Sequence, residues 1–222
     1  MKAFIFDMDG VIFDSERLYI DCCIEIAEKL GMDHIVETCH RCIGVTTEVT
    51  RAILLETYRD IDLVDRFREQ SVALVRSKID SGLLELKPGV RELLDFLRAK
   101  GCRIAIASST RTDIVEKELA DAGLIGYFSA VVGGDRAQRS KPNPDIFLRA
   151  AELLRTEPSR CIVIEDSFNG IRAAKAAGMT AVMVPDQLQP DEEIKALADR
   201  IELSLLHVLQ ELRSAAELPA ET

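Results

Sequence analysis

The stretch that decides the fold lies close to the N-terminus and reads Phe4-Ile5-Phe6-Asp7-Met8-Asp9-Gly10-Val11. Its apolar beginning predicts a buried β-strand. The strand ends in two carboxylates spaced i, i+2, and a glycine that permits a turn follows them. Carboxylates are costly to bury unless they are paired or bind a cation, and ligands of open parallel sheets sit outside the carboxyl ends of the strands. The stretch therefore predicts that the two acids line a functional site. The alternative is that they only stabilise the turn at the end of the strand.

From residue 87 onward, continuous apolar runs alternate with helical patterns. This is typical of a parallel sheet covered on both faces, so we expect an α/β fold. The later strands are predicted at residues 103–107, 130–132, 161–164 and 180–184. Helices are predicted between them, the first with Pro88 at its opening position and Gly101 at its close.

Residues 14–82 differ, because they contain helical patterns at about 14–31, 47–58 and 62–81 and no convincing strand. We therefore predict an all-helical insert at 14–82, within a parallel-sheet core formed by 1–13 and 83–222. The insert follows directly on the first strand.

The net charge of the 222-residue chain is −10, which argues against nucleic-acid and membrane-surface partners because both need basic patches. No apolar run approaches the ~18 residues of a membrane span. The chain starts directly with the strand, so we expect no signal peptide. We also expect a monomeric, cytoplasmic protein. Cys39-His40-Arg41-Cys42 is a single Cys-x-x-Cys without a second pair, which favours structural thiols over a metal or redox role.

Chemically active side chains follow four of the predicted strands. Asp7 and Asp9 follow the first, Ser108 follows the second, Lys141 lies after the third, and the fourth ends at Glu165-Asp166. If the strands are parallel, all of these groups lie at one edge of the sheet. Each also has a structural explanation, as a helix cap or a solvated lysine.

Together these groups fit phosphoryl transfer. Mg²⁺ prefers oxygen ligands and is often held by carboxylates and substrate phosphate. Asp7, Asp166 and Glu165 can hold it, while Ser108 and Lys141 can bind the remaining phosphate oxygens. The expected partner is a small phosphorylated metabolite.

Four groups of residues resemble the motifs of the haloacid dehalogenase-like hydrolase superfamily, in the branch that holds beta-phosphoglucomutase and small-molecule phosphatases. The resemblance covers essentially the whole chain. The four groups of residues are Asp7-Met8-Asp9-Gly10-Val11, Ser108, Ser140-Lys141-Pro142-Asn143-Pro144-Asp145 and Glu165-Asp166-Ser167-x-Asn169-Gly170. The resemblance implies a Rossmann-like core, with the helical insert acting as a cap that sets substrate specificity.

The resemblance also implies roles. Asp7 would be the nucleophile, and Asp9 would be the general acid/base and a metal ligand through its backbone carbonyl. Ser108 and Lys141 would bind the transferring phosphoryl group. Asp166 would coordinate Mg²⁺, with Glu165 coordinating directly or through water. Asp9 argues against dehalogenase chemistry, because the superfamily's dehalogenases lack this second acid.

Substrate contacts are harder to predict. Besides Ser108, Ser109 and Lys141, the candidates are Glu16 and Tyr19 in the first cap helix and Gly44, Thr46 and Thr47 in a loop where glycine allows close approach.

Three functions remain open: a phosphatase, a phosphomutase of the beta-phosphoglucomutase type, and a phospho-acceptor signalling domain. The beta-phosphoglucomutase pattern has Arg and His where this chain has Thr47 and Tyr19, which favours a phosphatase. The signalling domain is disfavoured, because it would have no cap and no acid beside the nucleophile.

Overall fold

The computed structural model describes residues 2–42 and 47–217. The strands are β1 Ala3–Phe6, β2 Arg103–Ala107, β3 Ala130–Val132, β4 Cys161–Glu165, β5 Thr180–Met183 and β6 Arg200–Ile201. The helices are α1 Ser15–Leu30, α2 Ile35–Cys42, α3 Thr47–Tyr58, α4 Ile61–Asp80, α5 Val90–Ala99, α6 Thr112–Asp121, α7 Asp145–Leu153, α8 Phe168–Ala176, α9 Glu192–Leu197 and α10 Leu205–Glu217.

The six strands form one sheet in the order β3-β2-β1-β4-β5-β6, and every neighbouring pair is parallel. All four residues of β1 are buried, as expected for a central strand covered on both faces. The sheet and the helices α5 to α10 give an α/β Rossmann-like fold, so the predicted fold class is confirmed.

The chain divides into two compact units. The core unit holds the described residues up to Phe13 and those from Leu86 onward, and the helical unit is Asp14–Glu85. Three residues predicted for the core, 83–85, belong to the helical unit. Their backbone explains this, because the Leu83 N–H donates to the Lys78 carbonyl and the Glu85 carbonyl accepts from the Asp14 N–H.

The helical unit packs α1, α2, α3 and α4 around its own apolar centre, in which Cys23, Leu54 and Phe67 are almost wholly buried. The helix α2 is absent from the predicted elements. It carries both residues of the Cys-x-x-Cys pair, with Cys39 buried and Cys42 half-buried, and neither is in a disulfide. No described helix is both long and apolar enough to cross a bilayer.

Two further predictions about the core need correction. The helix expected to open at Pro88 begins at Val90, because Gly89 adopts a left-handed φ of 92° before it and packs against Leu206. The two-residue strand β6 was not predicted, because it carries too little apolar pattern to be recognised.

Candidate active site

The predicted site residues of the core meet at the carboxyl edge of the sheet. Asp7 continues β1 by donating its N–H to the Ile164 carbonyl of the neighbouring strand β4. The chain then turns, and the Met8 carbonyl accepts from three successive N–H groups, at residues 11 to 13. Gly10 has a φ of 74° in this turn, which any residue with a Cβ adopts only at a cost. The turn leaves Asp7 beside the end of β4.

Lys141 forms the centre of the site. Its Nζ lies 2.6 Å from Asp7 Oδ1 and 2.6 Å from Glu165 Oε1, and its side chain is only 7% exposed. The loop before α7 presents this lysine through a turn in which the backbone and side-chain N–H groups of Asn143 both donate to the Ser140 carbonyl. A buried ammonium is tolerated only when it is paired with opposite charge. The ion pairs with Asp7 and Glu165 hold Lys141 in one position.

Glu165 is completely buried, and both of its oxygens have partners. Oε1 accepts from Lys141, and Oε2 accepts from the Ser167 N–H at 2.7 Å. Glu165 therefore orients Lys141 in this structure, a role that its position at the strand end did not reveal.

Ser108 and Asp9 are linked by Thr110, a residue that the sequence analysis did not single out. The Thr110 N–H donates to Ser108 Oγ at 3.0 Å, and the Thr110 hydroxyl donates to Asp9 Oδ2 at 3.0 Å. Ser108 itself is buried. The signal available in the sequence was the run of three hydroxyl residues at the end of β2. Ser109, also predicted to bind substrate, is exposed.

Gly170, in the first turn of α8, lies against Glu165. A Cβ at this position would overlap sterically with Glu165 Oε1. The Glu165 side chain cannot move away, because both of its oxygens are hydrogen-bonded. We expect Gly170→Ala to lose about 2 kcal/mol of stability, as overpacked core positions do, and to displace Lys141. Denaturant melts would measure this against Gly126→Ala, where the added Cβ meets open space. Equal stability of the two variants would contradict the packing argument.

Three carboxylates converge at this edge. Oxygens of Asp7, Glu165 and Asp166 lie within 4.8 Å of one another, and this is the one such group of acids, histidines or cysteines in the described part of the chain. Asp9 contributes no carboxylate oxygen to it. An all-oxygen donor set suits a hard cation such as Mg²⁺.

The electrostatics of the group are consistent with a cation. Burial, partly offset by Lys141, raises the pKa of Asp7 to about 7. Burial, together with the charges of Glu165 and Asp7, raises the pKa of Asp166 well above its ordinary value. Burial alone would lower the pKa of the Lys141 ammonium, but Asp7 and Glu165 together raise it. A divalent cation would favour the ionised carboxylates, so the residues fit the predicted metal.

The Asp166 carboxyl should destabilise the metal-free protein. Because its pKa is raised on folding, its contribution to stability falls as pH rises from the unfolded value toward the folded one. We expect Asp166→Asn in chelator to raise the melting temperature at pH 8 and to change it less at pH 5. With saturating Mg²⁺ the order should reverse. A variant that melts below wild type in chelator at pH 8 would contradict the argument.

The remaining predicted substrate contacts lie in the helical unit. Glu16 and Tyr19 are half-buried on α1, and burial followed by the neighbouring Cys23 raises the pKa of Tyr19. Thr47 is the first residue of α3, and Gly44 and Thr46 lie outside the described residues. Tyr19 also lines a cavity of about 770 Å³ within this unit, together with Thr50, Arg68 and Arg76.

Comparisons with known proteins show what this chain resembles. The family model described as haloacid dehalogenase-like hydrolase matches residues 4–184. The "Phosphorylated carbohydrates phosphatase" of Thermotoga maritima is 36% identical over 82% of this chain and 84% of its own length. The "Fructose-1-phosphate phosphatase YqaB" of Escherichia coli K12 is 34% identical, over 81% of this chain and 94% of its own length.

Among solved structures, a Thermotoga maritima protein described as a candidate beta-phosphoglucomutase superposes with a TM-score of 0.81. It is 32% identical, and the match covers 96% of this chain and 99% of that protein. The shared fold thus extends over essentially all of both chains.

Proposed function

The chain belongs to the haloacid dehalogenase-like hydrolase family as a phosphoric monoester hydrolase, and we propose that it is a Mg²⁺-dependent phosphatase of small, sugar phosphate-like metabolites. It would act through an aspartyl-phosphate on Asp7. The observation that carries the proposal is the buried Asp7–Lys141–Glu165 arrangement, with a second acid, Asp9, two residues beyond Asp7.

In the first half-reaction, a carboxylate oxygen of Asp7 attacks the phosphorus of the monoester. The bond between phosphorus and the ester oxygen breaks, and Asp9 gives its proton to the departing alkoxide. Thr110 positions Asp9 for this transfer through the hydrogen bond to Oδ2. Lys141 and the Ser108 hydroxyl stabilise the charge on the phosphoryl oxygens.

In the second half-reaction, water attacks the phosphorus of the aspartyl-phosphate. Asp9, now ionised, takes the proton of that water, and the bond between phosphorus and Asp7 breaks. Inorganic phosphate leaves, and Asp7 is again a carboxylate. Asp9 thus returns to its protonated form, ready for the next substrate.

Asp7 and Asp166 would hold the cation, with the Asp9 backbone carbonyl, and with Glu165 directly or through water. When bound, Mg²⁺ neutralises phosphate charge and lowers the electrostatic barrier to attack by an anionic carboxylate. This role is consistent with the crowding of the three acids.

The substrate class is supported by relatives named for phosphorylated carbohydrates and fructose 1-phosphate. The helical unit would act as the cap that selects the leaving group. The polar residues that line its cavity are Tyr19, Thr50, Asp65, Arg68, Glu69 and Arg76. Side chains of these types can hydrogen-bond a polyol.

A phosphomutase is the second candidate, because a structural neighbour is described as a candidate beta-phosphoglucomutase. A mutase must keep a bisphosphate intermediate bound throughout its catalytic cycle. Thr47 cannot replace the bidentate hold of an arginine, and Tyr19, whose pKa burial raises, cannot replace histidine as a proton shuttle near neutral pH.

One pair of assays tests the proposal. A panel of sugar phosphates and nucleotides with Mg²⁺ should yield inorganic phosphate from at least one monoester, without an isomerised product. In parallel, beta-glucose 1-phosphate is incubated with the enzyme and a trace of the 1,6-bisphosphate. Glucose 6-phosphate appearing much faster than inorganic phosphate would instead establish the mutase.

A further inference from the structure

Asp186 lies three residues beyond the end of β5 and carries a buried oxygen without a partner. Its side chain is 5% exposed. Oδ1 accepts from Lys87 Nζ at 2.7 Å and from Gln187 Nε2 at 3.2 Å, whereas Oδ2 has no hydrogen-bond partner among the described residues. An unsatisfied buried carboxylate oxygen is costly and rare, so its position needs an explanation.

The sheet places the loop that carries Asp186 beside the carboxyl end of β4. In the pairing of β4 with β5, Glu165 lies opposite Met183, and the Val184 N–H donates to the Glu165 carbonyl at 2.7 Å. The chain leading to Asp186 therefore runs alongside Glu165, the residue that precedes Asp166.

An ion pair with Lys87 accounts for only one oxygen of the Asp186 carboxylate, Oδ1. Lys87 is the residue whose backbone N–H donates to the Ile12 carbonyl, and its ion pair with Oδ1 fixes it there. That role leaves Oδ2 buried and without a hydrogen-bond partner among the described residues. A donor delivered with a hydrated cation would satisfy Oδ2, and Mg²⁺ usually keeps several of its waters in proteins.

We propose that Asp186 is a supporting carboxylate of the divalent-cation site, accepting through Oδ2 a hydrogen bond from water in the hydration shell of the cation. Lys87 orients it through Oδ1. The inference rests on the proposed function in one respect, that the site formed by Asp7 and Asp166 takes Mg²⁺. It adds to that site a residue outside the four motifs.

Cation binding without substrate tests the role directly. Titration of Mn²⁺, followed by its electron paramagnetic resonance signal, gives a Kd for wild type and for Asp186→Asn. We expect the Kd to rise about tenfold or more, the usual effect of removing a supporting group of a metal site. The rise in melting temperature at a fixed, subsaturating Mg²⁺ concentration should shrink in parallel.

Asp199→Asn is the matched control. Asp199 also pairs with a lysine, Lys175, but it lies at the amino end of β5, where it accepts from the Ala181 N–H. Its replacement should leave the Kd unchanged. If Asp186→Asn keeps the wild-type Kd and only melts at a lower temperature without metal, Asp186 is an anchor for Lys87 and the proposal is wrong.

Two further variants keep the result interpretable. Asp166→Asn should lose the Mn²⁺ site; a wild-type protein that binds no cation would refute the metal dependence of the proposed function itself, whereas equal binding by wild type and Asp186→Asn refutes only the role of Asp186. Should Asp186→Asn fail to fold, Lys87→Met tests the same point, because it removes the ion pair that orients Asp186. The Kd should then rise several-fold, and an unchanged or smaller Kd would overturn the proposal.

Discussion

Asp7→Asn is expected to reduce phosphate release by about a thousandfold or more while the protein remains folded. An amide lacks the negative oxygen that attacks phosphorus, and removing a nucleophile typically costs at least this much. The variant also removes a buried carboxylate whose pKa burial raises to about 7. Removing this buried group stabilises the fold, and this partly offsets the stability lost with the Lys141 ion pair. Steady-state phosphate release with the best substrate of the panel, together with circular dichroism, measures both effects.

The control is Asp135→Asn. Asp135 also follows a strand of the sheet, β3, but its carboxylate accepts from the Thr112 N–H and hydroxyl at 2.7 Å. The variant should lose some stability through this lost helix-start contact and keep its turnover. Substantial phosphate release by a folded Asp7→Asn protein would contradict the assignment of the nucleophile.

Removal of divalent cations is expected to have an effect of similar size. In excess chelator the acids at the site lack a neutralising charge, and phosphate dianion would meet carboxylates instead of a cation. Turnover should fall by about a thousandfold or more and return on addition of Mg²⁺. The melting temperature should rise with Mg²⁺ concentration by mass action.

The same titration on Asp166→Asn separates the cation site from nonspecific screening. That variant should show no Mg²⁺-dependent rise in melting temperature at concentrations that saturate wild type. Full activity of the wild-type protein in excess chelator would exclude a metal-dependent mechanism.

The sheet could be predicted closely because its strands are short apolar runs with turn residues after them. The bounds expected for β2 and β3 match the structure, and the acids at the end of β1 and β4 follow from the same pattern. A parallel sheet then requires that these residues lie at one edge. The grouping of Asp7, Glu165 and Asp166 was thus expected from topology alone.

Features that depend on tertiary contacts could not be predicted. Thr110 reaches Asp9 across a separation of about a hundred residues, and nothing in the run 108–110 shows which hydroxyl does so. Asp186 belongs to no motif, and only the packing of the loop after β5 shows that one of its oxygens is buried without a partner. The start of α5 was misplaced because a left-handed glycine followed Pro88. The predicted loop contacts Gly44 and Thr46 stay predictions.

The measurement that tests the account most directly is chemical trapping of the covalent intermediate. Enzyme mixed with substrate and Mg²⁺ is quenched in acid within milliseconds and reduced with borohydride, which converts an aspartyl-phosphate to homoserine. Peptide mass spectrometry should then find homoserine at position 7 and at no other aspartate, in an amount that falls as substrate is consumed. Phosphate release in a burst with no modified Asp7, or with the modification at a different residue, would contradict the proposed mechanism.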